Sequence, residues 1–112
     1  MSKNHPRVFV VHPTPKNDLS PAENFGELHY INHRYIYGDE MSEAGTIPST
    51  PNTNLVEAVR RFRPDIDYLL IAGDHLQVVI ASAYLARAYQ RFQVLRYDRQ
   101  LAGYLPVWVD AR

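Results

Sequence analysis

The run Asp67–Gly73 constrains the fold most, because it is almost continuously apolar and a helical pattern follows it at once. An apolar run of this length is typical of a strand that is covered on both faces, as in a parallel sheet. The helical pattern begins with Asp74 and Gln77, which have the spacing of a capping box. It continues through Val78–Tyr89, where several alanines allow a helix to lie close against a sheet. The sequence therefore predicts a strand that leads directly into a helix packed on the same sheet.

Two further strands are predicted before this unit and two after it. Arg7–His12 is a second run of β-branched and aromatic residues, and Leu28–Ile31 is a shorter candidate. After the helix, Phe92–Tyr97 and Tyr104–Val109 are separated by a short turn and predict an antiparallel hairpin. Because Pro106 cannot donate a hydrogen bond to a central ladder, the last strand is expected at an edge of the sheet.

Two helices are predicted before the Asp67–Gly73 run, one between the first two strands and one after the second. Ser20 is expected to cap a short helix in which Pro21 takes the first position. Asn54 is expected to cap an amphipathic helix that ends before Pro64. Three arginines of this region are expected mostly on its solvent side: Arg60, Arg61 and Arg63.

The order of these elements predicts a small three-layer α/β sandwich. Its sheet is expected to be mainly parallel, in the order 2-1-3-4-5, with an antiparallel C-terminal hairpin. At 112 residues the chain has the length of a single domain, 1–112. The segment at about 38–54 contains glycines and prolines without an apolar period, which predicts a long flexible loop. A loop of that length in a compact domain is usually functional or mobile.

Composition excludes several classes of protein. Twelve lysines and arginines balance twelve aspartates and glutamates, which argues against a broad electrostatic grip on nucleic acid or on an anionic membrane. No apolar run reaches the roughly 18 residues that a membrane span requires, and the first residues lack the apolar core of a secretory signal. The absence of cysteine excludes disulfides and thiolate metal sites. We therefore expect a cytoplasmic protein.

Several sequence blocks form a pattern that covers most of the chain outside residues 32–53. These blocks are Val8–Val11, Asp18–Ala22 with Phe25–Leu28, Asp67–Asp74, and Val94–Gln100 with Tyr104–Val107. The pattern resembles a group of small uncharacterised proteins from tailed phages and bacterial mobile elements. The resemblance implies a short phage reading frame that encodes one α/β domain. For such a protein we expect action in the host cytoplasm. The resemblance implies no catalytic residues and no cofactor, because no activity is associated with the group.

Polar residues that directly follow the strands form one candidate ligand site. In an open α/β sheet, ligands bind beyond the carboxyl ends of the strands, and the candidates there are His12, Thr14, Asp74, His75 and Asp98. Two histidines and two aspartates on one rim suit a metal ion, a nucleotide or acid–base chemistry. In the structural alternative, Asp74 caps its helix, His75 is solvated and Asp98 forms a turn.

Motifs that would favour an enzyme are absent from the sequence. It contains neither a Gly-rich dinucleotide fingerprint nor a P-loop, and it has no nucleophile elbow. The junction at Gly73 could accept a phosphate, but the acidic Asp74 would repel it. His29 and His33 have the spacing of a helical metal pair, yet their surroundings predict a strand and a turn. We therefore expect no metal, no cofactor and no catalytic residue.

Tyrosine is abundant, with eight in 112 residues. Three of them flank the predicted long loop: Tyr30, Tyr35 and Tyr37. Tyrosine gives a large contact area at a low entropic cost, so an edge that carries it suits an interface. An exposed edge strand also invites pairing with a second copy. This edge therefore predicts protein binding and a homodimer.

The C-terminal half offers a second set of contact candidates. From Asn52 onward, arginines outnumber acidic residues by two, and Tyr97 lies close to the candidates Arg96, Arg99 and Tyr104. Arginine beside aromatic residues suits stacking on unpaired bases, a protein–protein hot spot, or simply a solvated face. The leading hypothesis is a non-enzymatic interaction protein that binds a host or phage protein. The alternatives are a ligand or metal site on the rim and single-stranded nucleic-acid binding by the hairpin.

Overall fold

A computed structural model of the chain describes residues 5–11, 19–31, 53–73 and 75–112. Five strands are present: β1 (Arg7–Val10), β2 (Glu27–Tyr30), β3 (Tyr68–Leu70), β4 (Arg91–Asp98) and β5 (Gly103–Asp110). Two α-helices, α1 (Thr53–Arg61) and α2 (His75–Tyr89), accompany a short 3₁₀ helix (Ser20–Asn24). The strands form one sheet in the order β2-β1-β3-β4-β5, with parallel pairs up to β4 and an antiparallel β4–β5 pair. The predicted fold class and strand order are confirmed.

The two α-helices and the 3₁₀ helix lie on opposite faces of the sheet. We call the face covered by α1 and α2 the α face, and the opposite one the 3₁₀ face. The core on the α face consists of Phe9, Val11, Leu55, Ala58, Phe62, Leu69, Ile80, Ala81, Leu85, Phe92 and Val94. On the 3₁₀ face, the buried cluster is Val8, Val10, Leu19, Ala22, Leu70, Leu95 and Tyr104. Right-handed crossovers that step in opposite directions along a sheet lie on opposite faces. The connection that contains the 3₁₀ helix runs from β1 outward to β2, whereas the connections that contain α1 and α2 run in the opposite direction, towards β4. The sheet therefore separates the 3₁₀ helix from the two α-helices.

The helix starts differ from their predictions. Ser20 is the first residue of the 3₁₀ helix rather than its cap, and Leu19 precedes the helix in a right-handed helical conformation. A capping side chain needs an extended backbone at the cap position, which this single turn does not provide. Helix α1 begins at Thr53, so Asn54 lies within its first turn. The predicted loop at 38–54 lies outside the described residues, except for these two residues of α1.

Arg63 was predicted on the solvent side with its neighbours, but it binds a buried carboxylate. Its Nε and one terminal nitrogen donate to the two oxygens of Asp67 at 3.2 and 2.9 Å. Arg7, at the start of β1, donates to the same carboxylate from its side chain at 2.9 Å. Arg63 lies beyond the end of α1, where the chain turns towards β3, and helical periodicity no longer determines where its side chain points. This cluster joins β1, β3 and the segment after α1.

Pro106 lies in β5, which is an edge strand as predicted. The backbone N–H of Ala111 donates to the carbonyl of Gln90 at 2.7 Å, so β5 residues an even number of positions from Ala111 direct their N–H groups towards β4. Pro106 is five positions away, and its nitrogen faces outward. Proline at this position costs no hydrogen bond within the sheet, and it removes a donor that a further strand would use.

Substitution of Gly26 by alanine is expected to destabilise the protein by about 1–3 kcal/mol, the usual cost of overpacking. A Cβ at Gly26 would lie 2.5 Å from the carbonyl oxygen of Pro6, and neither backbone can yield easily where β2 begins beside β1. Urea unfolding followed by circular dichroism measures the loss. Gly103→Ala is the matched control, because the nearest atom to its added Cβ is 3.8 Å away. Equal stability of both variants would contradict the expected clash.

Candidate interaction surfaces

The β4–β5 hairpin exposes aromatic side chains on the 3₁₀ face of the sheet. Leu95 and Tyr104 belong to the 3₁₀-face cluster, and alternation along each strand places Tyr97 and Trp108 on that same face. Tyr97 is 46% exposed and Trp108 is 42% exposed. In the strand register, the exposed Pro106 lies between them, opposite Leu95. The rings are therefore separated along the hairpin by about 13 Å, the rise of four strand residues.

Arg91 lies over the exposed tryptophan. Its guanidinium carbon is 3.7 Å from the centre of the Trp108 ring, a close cation–π contact. Arg91 also approaches the carboxylate of Asp110 at 3.8 Å, and Arg112 donates to that carboxylate at 2.6 Å. We call Arg91, Tyr97 and Trp108 the hairpin surface. On this surface the Arg91 guanidinium lies close to both the Trp108 ring and the Asp110 carboxylate.

Asp110 is ionised at neutral pH. Hydrogen bonds from Arg112, together with the charges of Arg112 and Arg91, lower the pKa of Asp110 to about 2. The pair is exposed to solvent, so its contribution to stability is small. The carboxylate is hydrogen-bonded to Arg112, and its contact with Arg91 is a longer one at 3.8 Å. It also places a negative charge at the end of the hairpin surface.

The predicted contact residues of the hairpin are divided between its two faces. Tyr104 is only 7% exposed and packs its ring edge-on against Tyr97 at 5.4 Å. Arg96 lies on the α face, because it alternates with Leu95 and Tyr97, and Arg99 lies in the turn. The structure therefore does not place these two arginines on one surface with the tyrosines. Within the hairpin, the cation that lies over an aromatic ring is Arg91. Sequence reasoning missed it because the contact is diagonal across the hairpin and depends on the exact register.

The predicted tyrosine edge is described only in part. Tyr30 ends β2, is 56% exposed and is paired in register with Val10 of β1. Tyr35 and Tyr37 lie outside the described residues. Strands β2 and β5 are at opposite edges of the sheet, so Tyr30 and the hairpin surface are separate.

The predicted rim site is also described in part. His75 begins α2 and Asp98 ends β4, which places both beyond carboxyl ends of parallel strands, as expected. One Asp98 oxygen accepts the backbone N–H groups of Gln100 and Leu101 at 2.9 and 3.2 Å, so this carboxylate does form the turn. His12, Thr14 and Asp74 lie outside the described residues. Within the described ranges, no three histidine or acidic side chains are grouped as metal ligands would be.

His29 was considered as one half of a metal pair. Its Nε2 lies 3.4 Å from a carboxylate oxygen of Glu27, and its ring packs against Phe9 with the ring centres 5.8 Å apart. The other histidine of that pair, His33, is outside the described residues. The contacts of His29 are those of a side chain packed at the edge of the core.

A groove of about 410 Å³ runs between α1 and α2 on the outer side of the helical layer. We call it the interhelical groove, and its lining residues are Leu55, Val56, Val59, Arg60, Tyr84, Arg87 and Ala88. The predicted strand order already places both helices on one face, but the groove also depends on how closely their facing side chains pack, which the sequence does not show. Neither α-helix in the described part of the chain has the length and apolarity of a membrane span.

Comparison with known protein families gives a match over nearly the whole chain. A family model described as phage Pam3 gp32-like protein matches residues 6–111. The match includes all five strands, both helices and the residues of both surfaces described above. None of the curated proteins and none of the solved structures is significantly similar to the chain.

Proposed function

Because the chain belongs to the phage Pam3 gp32-like family, we propose that it is a non-enzymatic phage accessory protein that binds a protein partner. The partner comes from the phage or from its host, and binding takes place in the host cytoplasm. We propose further that the source is a tailed phage or a bacterial mobile element, as the sequence resemblance implies. Family membership supports the phage origin, and the contact surface is argued below from side-chain geometry.

The hairpin surface is the proposed contact site, and the observation that carries this assignment is Arg91 stacked 3.7 Å over the exposed ring of Trp108. Tryptophan, tyrosine and arginine are the residue types that most often dominate the binding energy of protein interfaces. Here all three lie on one face of an edge hairpin. Because Arg91 already stacks on Trp108, part of the entropic cost of ordering this side chain is met before a partner binds.

A protein fits this surface better than a single-stranded nucleic acid. Stacked bases require a cationic path for their phosphates, but the ionised Asp110 lies beside Arg91, and Arg96 is on the other face of the sheet. The chain as a whole has no net charge. An interface that combines apolar rings, one cation and one anion suits the mixed surface of another protein.

The partner is expected to contact side chains on the face of the hairpin rather than extend the sheet. A strand added along β5 would meet Pro106 in the middle of the edge, where a donor is missing. A second copy of the chain would instead use the β2 edge, where Tyr30 is exposed. We retain that homodimer as a second proposal, and it does not involve the hairpin surface.

Photo-crosslinking during infection tests the proposal. With p-benzoyl-phenylalanine at position 108, we expect a discrete adduct with another protein of the phage or the host. Position 79 is the matched control, because Val79 is 60% exposed but lies on α2, on the other side of the sheet. The same adducts at both positions, or none at position 108, would overturn the assignment. So would an adduct that nuclease removes, or one that joins two copies of this chain.

Once that partner is identified, Trp108→Ala is expected to weaken its binding at least tenfold, as truncation of a hot spot does. Biolayer interferometry with the purified partner measures the affinity. The melting temperature should change little, because Trp108 is outside both core clusters. Val79→Ala should leave the affinity unchanged. If both variants bind like the wild type, Trp108 is not a contact residue.

A further inference from the structure

The interhelical groove carries a charge pattern that the hairpin surface does not explain. We propose that it binds an acidic amphipathic helix of a partner protein, whose apolar side chains enter the groove and whose carboxylates pair with Arg60 and Arg87. This is a second binding surface, on the other side of the sheet, and it does not depend on the hairpin surface.

The floor of the groove is aliphatic and the rim is cationic. Leu55 is 1% exposed at the bottom, and Val56 and Val59 are half-buried beside it. Arg60 and Arg87 are both exposed on the lining, one from each helix. An apolar stripe flanked by cations is complementary to a helix with an apolar stripe flanked by acids.

The two arginines are available for a ligand. Within the part of the chain that the structure describes, Arg7, Arg63, Arg91 and Arg112 each pair with an aspartate. No described carboxylate lies within ion-pair distance of Arg60 or Arg87. Helices α1 and α2 together carry three arginines against the single carboxylate of Glu57, which does not line the groove. Among the described residues, the charges on these two helices are therefore mainly positive.

The arrangement of the helices places both cations at the same end. Each helix returns the chain from one parallel strand to the next, so α1 and α2 run in the same direction. The Tyr89 hydroxyl donates to the Val59 carbonyl and joins their C-terminal turns. Cations in these last turns also interact favourably with the helix dipoles. That interaction alone does not explain the apolar residues that lie between the two arginines.

The shape of the groove favours a peptide over a small molecule. Small-molecule sites enclose most of the surface of their ligand, whereas most residues on this lining are half-buried or exposed. The residues that line the groove recur three or four positions apart on both helices, as Leu55 and Val59 do on α1 and Tyr84 and Ala88 on α2. Such spacing presents the ridges between which a third helix packs.

The test uses the purified full chain and a fluorescein-labelled synthetic 16-residue helix, with leucines along one stripe and glutamates on both sides of it. Fluorescence anisotropy should show saturable binding of this peptide. The same peptide with lysines in place of the glutamates, and a glutamate-rich peptide without leucines, should each bind at least tenfold more weakly. Absence of saturable binding by the acidic peptide, or equal binding of all three, would overturn the proposal.

Charge reversal locates the site. Arg60→Glu with Arg87→Glu should weaken binding of the acidic peptide at least tenfold and should strengthen binding of the lysine peptide. The matched control is Arg96→Glu with Arg99→Glu, which changes the net charge equally on the hairpin. Trp108→Ala should bind like the wild type. Equal loss in the groove and control variants would show a non-specific charge effect and overturn the proposal, as would no loss in the groove variant.

Discussion

Substitution of Asp67 by alanine is expected to lower the free energy of unfolding by about 3–5 kcal/mol, the usual cost of removing one partner from a buried ion pair. The Asp67 side chain is fully buried and accepts five hydrogen bonds from Arg7 and Arg63. Its removal leaves two guanidinium groups and two backbone N–H groups without their acceptor. Since native domains are stable by only about 5–15 kcal/mol, urea titration should find the variant partly unfolded at low denaturant.

Two further variants separate charge from shape. Asp67→Asn keeps the size of the side chain and one acceptor oxygen, so a smaller loss than that of the alanine variant is expected. Asp65→Asn removes an exposed carboxylate two residues earlier and should leave the midpoint almost unchanged. A loss below about 1 kcal/mol in Asp67→Ala, which is the range of exposed pairs, would show that the cluster does not stabilise the fold.

The same carboxylate makes stability depend on pH. Burial acts to raise the pKa of Asp67, but hydrogen bonds from Arg63 and Arg7 outweigh it and hold the pKa below its ordinary value of 3.8. The unfolded chain therefore takes up the proton first as the pH falls. Stability from Asp67 is fully present well above pH 3.8 and is lost as the pH falls through 3.8 towards the lower pKa of the folded state.

Comparison of the wild type with Asp67→Asn isolates the pH-dependent contribution of Asp67 to stability. The lowered pKa of Asp110 gives a loss in the same direction, but it is common to both proteins and cancels in their difference. The free-energy difference between the wild type and Asp67→Asn should be constant near neutral pH and should shrink below about pH 4, where carboxylates of ordinary pKa become protonated. A difference that does not change between pH 6 and pH 3 would contradict the lowered pKa of Asp67 in the folded state.

The sheet could be predicted from the sequence because its determinants are local. The apolar run Asp67–Gly73 indicated a strand covered on both faces, and the alanine-rich run after it indicated the helix that covers one of them. Pro106 indicated an edge strand, since a proline nitrogen cannot join a central ladder. Each of these signals lies within a few residues, and the rules for short, right-handed connections supplied the strand order.

The sites were harder to predict because each depends on residues far apart in the sequence. Asp67 meets Arg7 across 60 residues, and in the sequence this aspartate reads as the polar start of a strand. The contact of Arg91 with Trp108 requires the exact register of the hairpin. The interhelical groove depends on how side chains of α1 and α2 pack against each other across 24 or more residues of sequence, from Arg60 to Tyr84. In contrast, Asp98 was open to prediction as a turn former, because its carboxylate binds N–H groups two and three residues later.

Substitution of Phe62 by alanine is expected to cost about 3–5 kcal/mol, the range found for large aromatic side chains in a core. Phe62 is 3% exposed, and its ring centre lies 5.4 Å from that of Phe9, 6.2 Å from Tyr89 and 6.4 Å from Phe92. This ring therefore holds the end of α1 against β1, β4 and the end of α2 at once. Thermal and urea unfolding should both show the loss.

Milder variants connect this core contact to the interhelical groove. Phe62→Leu keeps most of the buried volume, so a smaller loss is expected and the protein should remain folded. Without the aromatic contact to Tyr89, the C-terminal turns of α1 and α2 should separate more easily, and their amide hydrogens should exchange faster than those of β4. Val79→Ala, at a surface position of α2, is the control and should change neither stability nor exchange. If Phe62→Leu leaves the exchange at both helix ends unchanged, Phe62 fills space without positioning α1 against α2.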